Sequence, residues 1–181
     1  MLFFSSDFHI GHEAIIKHSE RPFETVEEME EEIVSRWNSL VTKQDWGVLV
    51  GDTFWEMNQA KDTERAAAFI KRLNGTIMLI EGNHDYRCVR RLEPVRRQIA
   101  SLTHGEYSFA ACHYPMLSWN RSHHGRICVH GHTHQKTKIS EHPTGKALIH
   151  IGVDAWDFYP VSAEEVVACA EVAKKLPDIK A

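Results

Sequence analysis

The sequence predicts an α/β layered protein, and two observations lead there. Short apolar runs alternate with stretches of helical periodicity, the pattern left by strands and helices packed in layers. No linker, internal repeat or low-complexity stretch breaks that alternation across the 181 residues. With 43% hydrophobic residues, the chain is expected to form one domain spanning residues 1–181. A chain of this size buries about 70% of the surface of its unfolded form.

The elements follow in chain order. Met1–Ser5 reads as a strand, because it is apolar, lacks a basic leader and meets Asp7 almost at once; a signal peptide has neither property. After Thr25, the residues Val26, Met29, Ile33, Trp37 and Leu40 recur at spacings of three and four and share one helix face. Thr25 with Glu28 has the capping-box pattern. The acidic run Glu27–Glu32 fits the first turns of a solvated face near the positive helix end. Further strands are expected at Trp46–Val50, Thr76–Ile80, Tyr107–Cys112, Arg126–Val129 and Ala147–Val153. A helix is expected over Asp62–Leu73, ended by Asn74-Gly75, and another after Ser162, with Glu165 three residues on, running to Leu176 before Pro177. Pro94 interrupts the Arg87–Ile99 segment.

Composition excludes several classes. The net charge of -4 disfavours non-specific binding to duplex nucleic acid through a global positive field. No apolar run approaches the roughly 18 residues that span a bilayer. The cysteines Cys88, Cys112, Cys128 and Cys169 form no CxxC pair, which argues against a zinc finger. Without a secretory signal, reduced thiols and a cytoplasmic location are expected. The unusual number is 13 histidines, with no run longer than His123-His124. A metal site or a proton-handling site would account for them; a tag would not.

Five of the expected strands are each followed at once by a polar cluster. The clusters are Asp7-Phe8-His9, Gly51-Asp52, Gly82-Asn83-His84-Asp85, His113, and Gly131-His132-Thr133-His134. Ligands of open α/β sheets bind outside the carboxyl ends of strands, so the clusters would converge on one site. Their donors are aspartate oxygen, imidazole nitrogen and an amide oxygen, without thiolate. That mixture suits Mn²⁺, Fe²⁺ or Zn²⁺. Six or seven donors exceed the four of a tetrahedral zinc and fit two ions sharing a carboxylate. Gly51, Gly82 and Gly131 would let the backbone turn sharply there and approach closely.

These five blocks in this order resemble the calcineurin-like metallophosphoesterase superfamily. A closer likeness is to its compact bacterial and phage phosphoesterases, carried by Asp7–Glu13, Arg21-Pro22-Phe23, His113-Tyr114-Pro115 and Gly152-Val153-Asp154. The resemblance implies two facing mixed β-sheets flanked by helices. It also implies two divalent ions, Mn²⁺ first, with Fe, Zn, Ni or Co as alternatives. Asp7, His9, Asp52 and His134 would hold the first ion, and Asp52, Asn83, His113 and His132 the second. His84 would act as general acid. Attack by a water or hydroxide between the ions would open phosphodiesters or small organic phosphates. A small nuclease or cyclic-nucleotide phosphodiesterase is the alternative within the class, and a non-catalytic scaffold a more distant one. Protein phosphatases of the superfamily carry an aspartate where this chain has Trp55, which argues against that branch. Double-strand-break nucleases are much longer.

Substrate contacts are expected from Arg87, as an anion grip, and from Tyr114, Trp119, Arg121, His123 and His124 in the loop after His113. For these loop residues an ordinary surface loop is the alternative, and for Trp119 a core anchor. His12 would back a ligand, line the pocket or start a helix, and His130 would be a satisfied core residue or back a ligand. The partner is a phosphate ester, with a nucleotide or short nucleic acid as one form of it; no membrane partner is expected.

Overall fold

A computed structural model describes residues 1–56, 59–85, 89–92, 96–143 and 147–175. The strands of the first sheet are β1 (Leu2–Ser5), β2 (Trp46–Val50), β3 (Thr76–Ile80), β4 (Arg96–Arg97) and β9 (Val161–Ser162). Their order is β4-β3-β2-β1-β9. The first four are parallel and β9 closes the edge antiparallel to β1. The second sheet has the order β5-β6-β7-β8, from β5 (Ile99–His104), β6 (Tyr107–Cys112), β7 (Ile127–His130) and β8 (Leu148–His150). There β5 and β6 form an antiparallel hairpin, while β6, β7 and β8 run parallel. Both sheets are therefore mixed, and the α/β architecture of two mixed sheets with helices is the one expected.

Alternation along the strands sorts the core into layers. Phe3, Leu49, Ile77 and Leu79 face the helices α2 (Val26–Leu40) and α3 (Ala60–Arg72), meeting Met29, Ile33, Trp37, Ala66 and Phe69. The next residues along, Phe4, Val48, Val50 and Ile80, face the second sheet and pack with Phe109, Ala111, Val129 and Ile149. The Phe4 and Phe109 rings lie 5.2 Å apart across that layer. Because β1, β2 and β3 are covered on both faces, they read as unbroken apolar runs. Val166 and Ala170 of α4 (Ala163–Ala173) join the same layer.

The boundaries differ in instructive ways. α3 starts at Ala60, two residues before the expected Asp62, because Gln59 is the N-cap and the Asp62 carboxylate accepts from its backbone N–H at 2.7 Å. α4 has the full reciprocal box: Ser162 Oγ accepts from Glu165 N, and Glu165 Oε2 from Ser162 N. At α2, Thr25 Oγ1 accepts from Glu28 N, but Glu28 turns to Glu24 N instead of Thr25. The expected strand at Ala147–Val153 ends at His150, since Gly152 leads into a 3-10 turn over Val153–Ala155. α1 (Ala14–His18), β4, β5 and β9 escape the sequence pattern. The expected helix end at Leu176 lies outside the described residues.

Candidate metal centre

The five polar clusters meet at the strand ends. β1 and β2 run side by side, and their pairing continues past the strands, with Asp7 N donating to Gly51 O and His9 N to Asp52 O. Gly131 N donates to His113 O, which brings in the second sheet. Two groups of donor atoms result, each within 4.8 Å internally: Asp7, His9 and His134, and Asp52, His113 and His132.

In the first group, His9 Nε2 and His134 Nε2 face each other at 3.2 Å. His134 Nδ1–H donates to Asp154 Oδ2 at 2.9 Å, which leaves the Nε2 lone pair for the site. Both Asp7 oxygens accept from His132 N, at 3.0 and 3.1 Å, and Ser6 Oγ–H donates to Oδ2. In the second group, His113 Nδ1–H donates to Val50 O at 3.0 Å. His113 Nε2 then points its lone pair at Asn83 Oδ1 (2.9 Å) and Asp52 Oδ2 (3.2 Å). His132 Nδ1 also lies 2.9 Å from Asn83 Oδ1, so Asn83 joins this group. Asp52 Oδ2 stands 3.8 Å from His9 Nε2 as well, and so lies between the groups.

Lone pairs that face one another at such distances repel unless a proton or cation lies between them. The donor set, nitrogen and carboxylate oxygen without sulfur, fits divalent ions of the harder or borderline kind. Electrostatics agree. Burial raises the Asp7 carboxyl above its ordinary range, against the pull of His113 and His134. Burial pushes His9 down to about 2. When a proton lies between Asp52 and His113, the hydrogen bond and charge of a protonated His113 outweigh burial at Asp52, and the carboxyl sits below its usual value. A nearby cation would relieve the cost of the buried carboxylates.

The backbone adopts an uncommon conformation here. Asp7 (φ 60°), His9 (56°), Asp52 (49°), His132 (72°) and His134 (46°) are all left-handed, which costs a non-glycine residue about 1–2 kcal/mol. Close approach is tight too. A Cβ on Gly82 would stand 2.2 Å from Asp52 N, and one on Gly131 would stand 1.8 Å from Ser6 Oγ. These two glycines are required by contact with the residues that carry the donors.

His84 projects beside the first group, its ring 5.5 Å from that of His9. Its backbone N–H donates to Asp52 Oδ1 at 2.8 Å. Trp55 lies between His84 and His12, 4.1 Å from the first ring and stacked on the second at 3.5 Å and 6°. His12 is therefore an aromatic backing residue. Asp85 does not touch the His84 ring in any recorded bond; its carboxylate accepts from Phe54 N and Gly82 N. Burial pushes it up to about 7.

The expected substrate contacts divide. Tyr114 sits at the site, its ring 4.8 Å from His132. A cavity of about 540 Å³ adjoins Asn83 and Tyr114 and is also lined by Arg90, Gln98 and Ile99. Arg121, His123 and His124 stand exposed on a 3-10 turn, the two histidine rings 4.1 Å apart, and join neither donor group. Trp119 is corrected: it is buried, packs with Ala110, Cys128 and Leu148 on the outer face of the second sheet, and donates Nε1–H to Arg126 O. An indole anchored in this way is not offered to a substrate. Arg87 lies outside the described residues. His130 is buried, bonding Gly131 O and Ser140 Oγ, as a core histidine should. Arg21 and Asp154 were legible only as part of a motif; their contact with the centre was not.

The comparisons with known proteins agree with this geometry. The calcineurin-like phosphoesterase profile matches residues 2–157. An uncharacterized protein of Methanocaldococcus jannaschii is 31% identical over 176 residues, covering 96% of this chain and 93% of that one. The Gene 66 protein of Mycobacterium phage L5 is 26% identical over 182 residues, covering 84% of this chain and 86% of its own. A protein of unknown function from Aquifex aeolicus shares the fold with a TM-score of 0.67 at 20% identity, over 93% of this chain and 98% of that one. A profile match over most of the length places the chain among the calcineurin-like phosphoesterases, a divalent-metal-dependent family acting on phosphoesters.

Proposed function

We propose that residues 1–181 form a single dinuclear metallophosphoesterase domain that hydrolyses phosphodiesters or small organic phosphates. The observation that carries this reading is Asp52 Oδ2, a single oxygen 3.2 Å from His113 Nε2 and 3.8 Å from His9 Nε2. Asp7, His9, Asp52 and His134 would hold one divalent ion, and Asp52, Asn83, His113 and His132 the other. When bound, such a pair supplies an acidified water and neutralises charge on the phosphoryl oxygens. His113 and His134 keep their Nε2 lone pairs turned inward through their Nδ1–H bonds. His84 stands beside the centre and gives a proton to the leaving oxygen. Trp55 and His12 fix the plane of its ring. Tyr114 and the adjoining cavity receive the organic part of the ester. Arg87 remains the anion grip in this reading, with Arg121, His123 and His124 at the rim.

The test is reconstitution with Mn²⁺, then Fe²⁺, Zn²⁺, Ni²⁺ and Co²⁺, with the bound ions counted. Turnover is measured on bis-p-nitrophenyl phosphate, p-nitrophenyl phosphate, cyclic nucleotides and single-stranded nucleic acid. Two ions per chain with turnover of at least one ester is the expected result. Folded protein that binds no ion, or binds two and turns over none of these esters, overturns it.

A further inference from the structure

Behind the first donor group lies a buried ion pair that no step of the chemistry uses. Arg21 and Asp154 are far apart in sequence, and both side chains are fully enclosed. The guanidinium meets the carboxylate as a fork, Nε to Oδ1 at 3.0 Å and Nη2 to Oδ2 at 3.1 Å. Two of its remaining hydrogens go to the chain around the donors, Nη2–H to Asp7 O at 2.7 Å and Nη1–H to Phe8 O at 3.0 Å, and a third, on Nη1, goes to Met29 Sδ at 3.3 Å. Asp154 Oδ2 in turn accepts from His134 Nδ1–H at 2.9 Å.

We propose that Arg21 and Asp154 act together as a positioning pair that sets the affinity of the Asp7–His9–His134 group for its metal ion. The inference rests on the dinuclear reading given above. Its physical basis is that one planar guanidinium is tied to every part of the group: directly to the backbone of Asp7, to Phe8 beside His9, and through Asp154 to His134. It pins the carbonyls of Asp7 and Phe8, and so the left-handed turn that aims Asp7 and His9. Through Asp154 it fixes the tautomer and plane of His134, and the carboxylate makes that imidazole a stronger ligand. Arginine rather than lysine is required, because the fork and the two carbonyls ask for several donors in one plane. Among the described residues, the Asp52–His113–His132 group has no buried ion pair behind it; His113 leans on the neutral carbonyl of Val50.

Removing one member alone leaves a buried charge, so the main test replaces both. Arg21→Met with Asp154→Leu deletes the pair without stranding a charge, and such replacements often preserve stability. Ion binding is titrated calorimetrically on metal-free protein, and the visible spectrum of bound Co²⁺ reports the ligand geometry. The expected result is one ion bound as in the wild type and the other about 10–100-fold more weakly, with a changed Co²⁺ spectrum and an unchanged far-UV circular dichroism spectrum. Wild-type affinity for both ions overturns the proposal, as does equal weakening of both. If the double variant fails to fold, Asp154→Asn decides: selective weakening of one ion supports the pair, and unaltered affinity overturns it. A wild-type protein that binds no ion at all defeats the dinuclear reading instead, so the two failures are distinct.

Discussion

The two donor groups are built from similar residues but supported differently. Asp7, His9 and His134 rest on a charged, enclosed bracket, and two of the three are buried. Asp52, His113 and His132 rest on strand backbone, and His132 is exposed. Asn83, with a neutral amide oxygen, joins only the second. The difference teaches that two neighbouring donor groups need not offer a cation the same support. One place is set by an ion pair closed across the chain, the other by a backbone carbonyl, with one of its members, His132, open to solvent. Only Asp52 belongs to both, which makes it the residue at which the comparison can be broken outright.

The largest effect is therefore expected from Asp52→Asn. It should cost both ions and reduce turnover to background, measured by metal analysis and ester hydrolysis. Retention of one tightly held ion would mean that the groups are not joined through this carboxylate. Next comes His84→Ala, which should lower kcat by about 10²–10⁴ with both ions in place. Metal loss in that variant would make His84 a ligand. Trp55→Ala should lower kcat by about 10-fold or more, because the His84 ring loses the indole that lies tilted against it and with it its alignment; Trp55→Phe should restore most of the rate. Unchanged kcat in Trp55→Ala would show that this ring contact serves packing only. A finer test is timed chelation. Ion release should be biphasic, the exposed group emptying first, and a single phase would remove the proposed asymmetry.

The smallest effect concerns pH and lies outside both groups. His150 is buried, neither ring nitrogen has a hydrogen-bond partner among the described residues, and burial pushes it down to about 3 from an ordinary 6.5. As pH falls through 6.5 the unfolded chain takes up this proton before the folded one does. Stability that is full above pH 6.5 is then lost toward pH 3, at up to about 1.4 kcal/mol per pH unit. His150→Leu should flatten the fall, as read from urea midpoints at pH 7.5 and 5. Parallel pH dependences in the two proteins would mean that His150 does not set this slope.

What the sequence made legible follows from distance along the chain. Asp7, Asp52, Asn83, His113 and His132 each stand directly after an apolar run, so a local pattern plus the strand-end rule brings them together. Arg21 and Asp154 are joined only by the folded path, and no local pattern pairs them. Trp119 was open to two readings, substrate contact and core anchor, for a related reason. An aromatic residue in a polar loop looks available until the carbonyl of Arg126 and the outer face of the second sheet are seen to claim it. The strand β5 went unseen because it is an edge strand in which exposed residues alternate with buried or half-buried ones, so it has no continuous apolar run. Its hairpin turn at Gly105 was the available signal.

The left-handed backbone at Asp7, His9, Asp52, His132 and His134 has a consequence for protein engineering. Each of these side chains is kept where glycine would sit with less strain. A screen that rewards melting temperature alone, in the absence of metal, would favour glycine or asparagine at these positions. The hardiest apoprotein recovered that way would have discarded its donors one by one. Selection for heat resistance should accordingly be run with divalent ions present, so that ligand binding offsets the conformational cost.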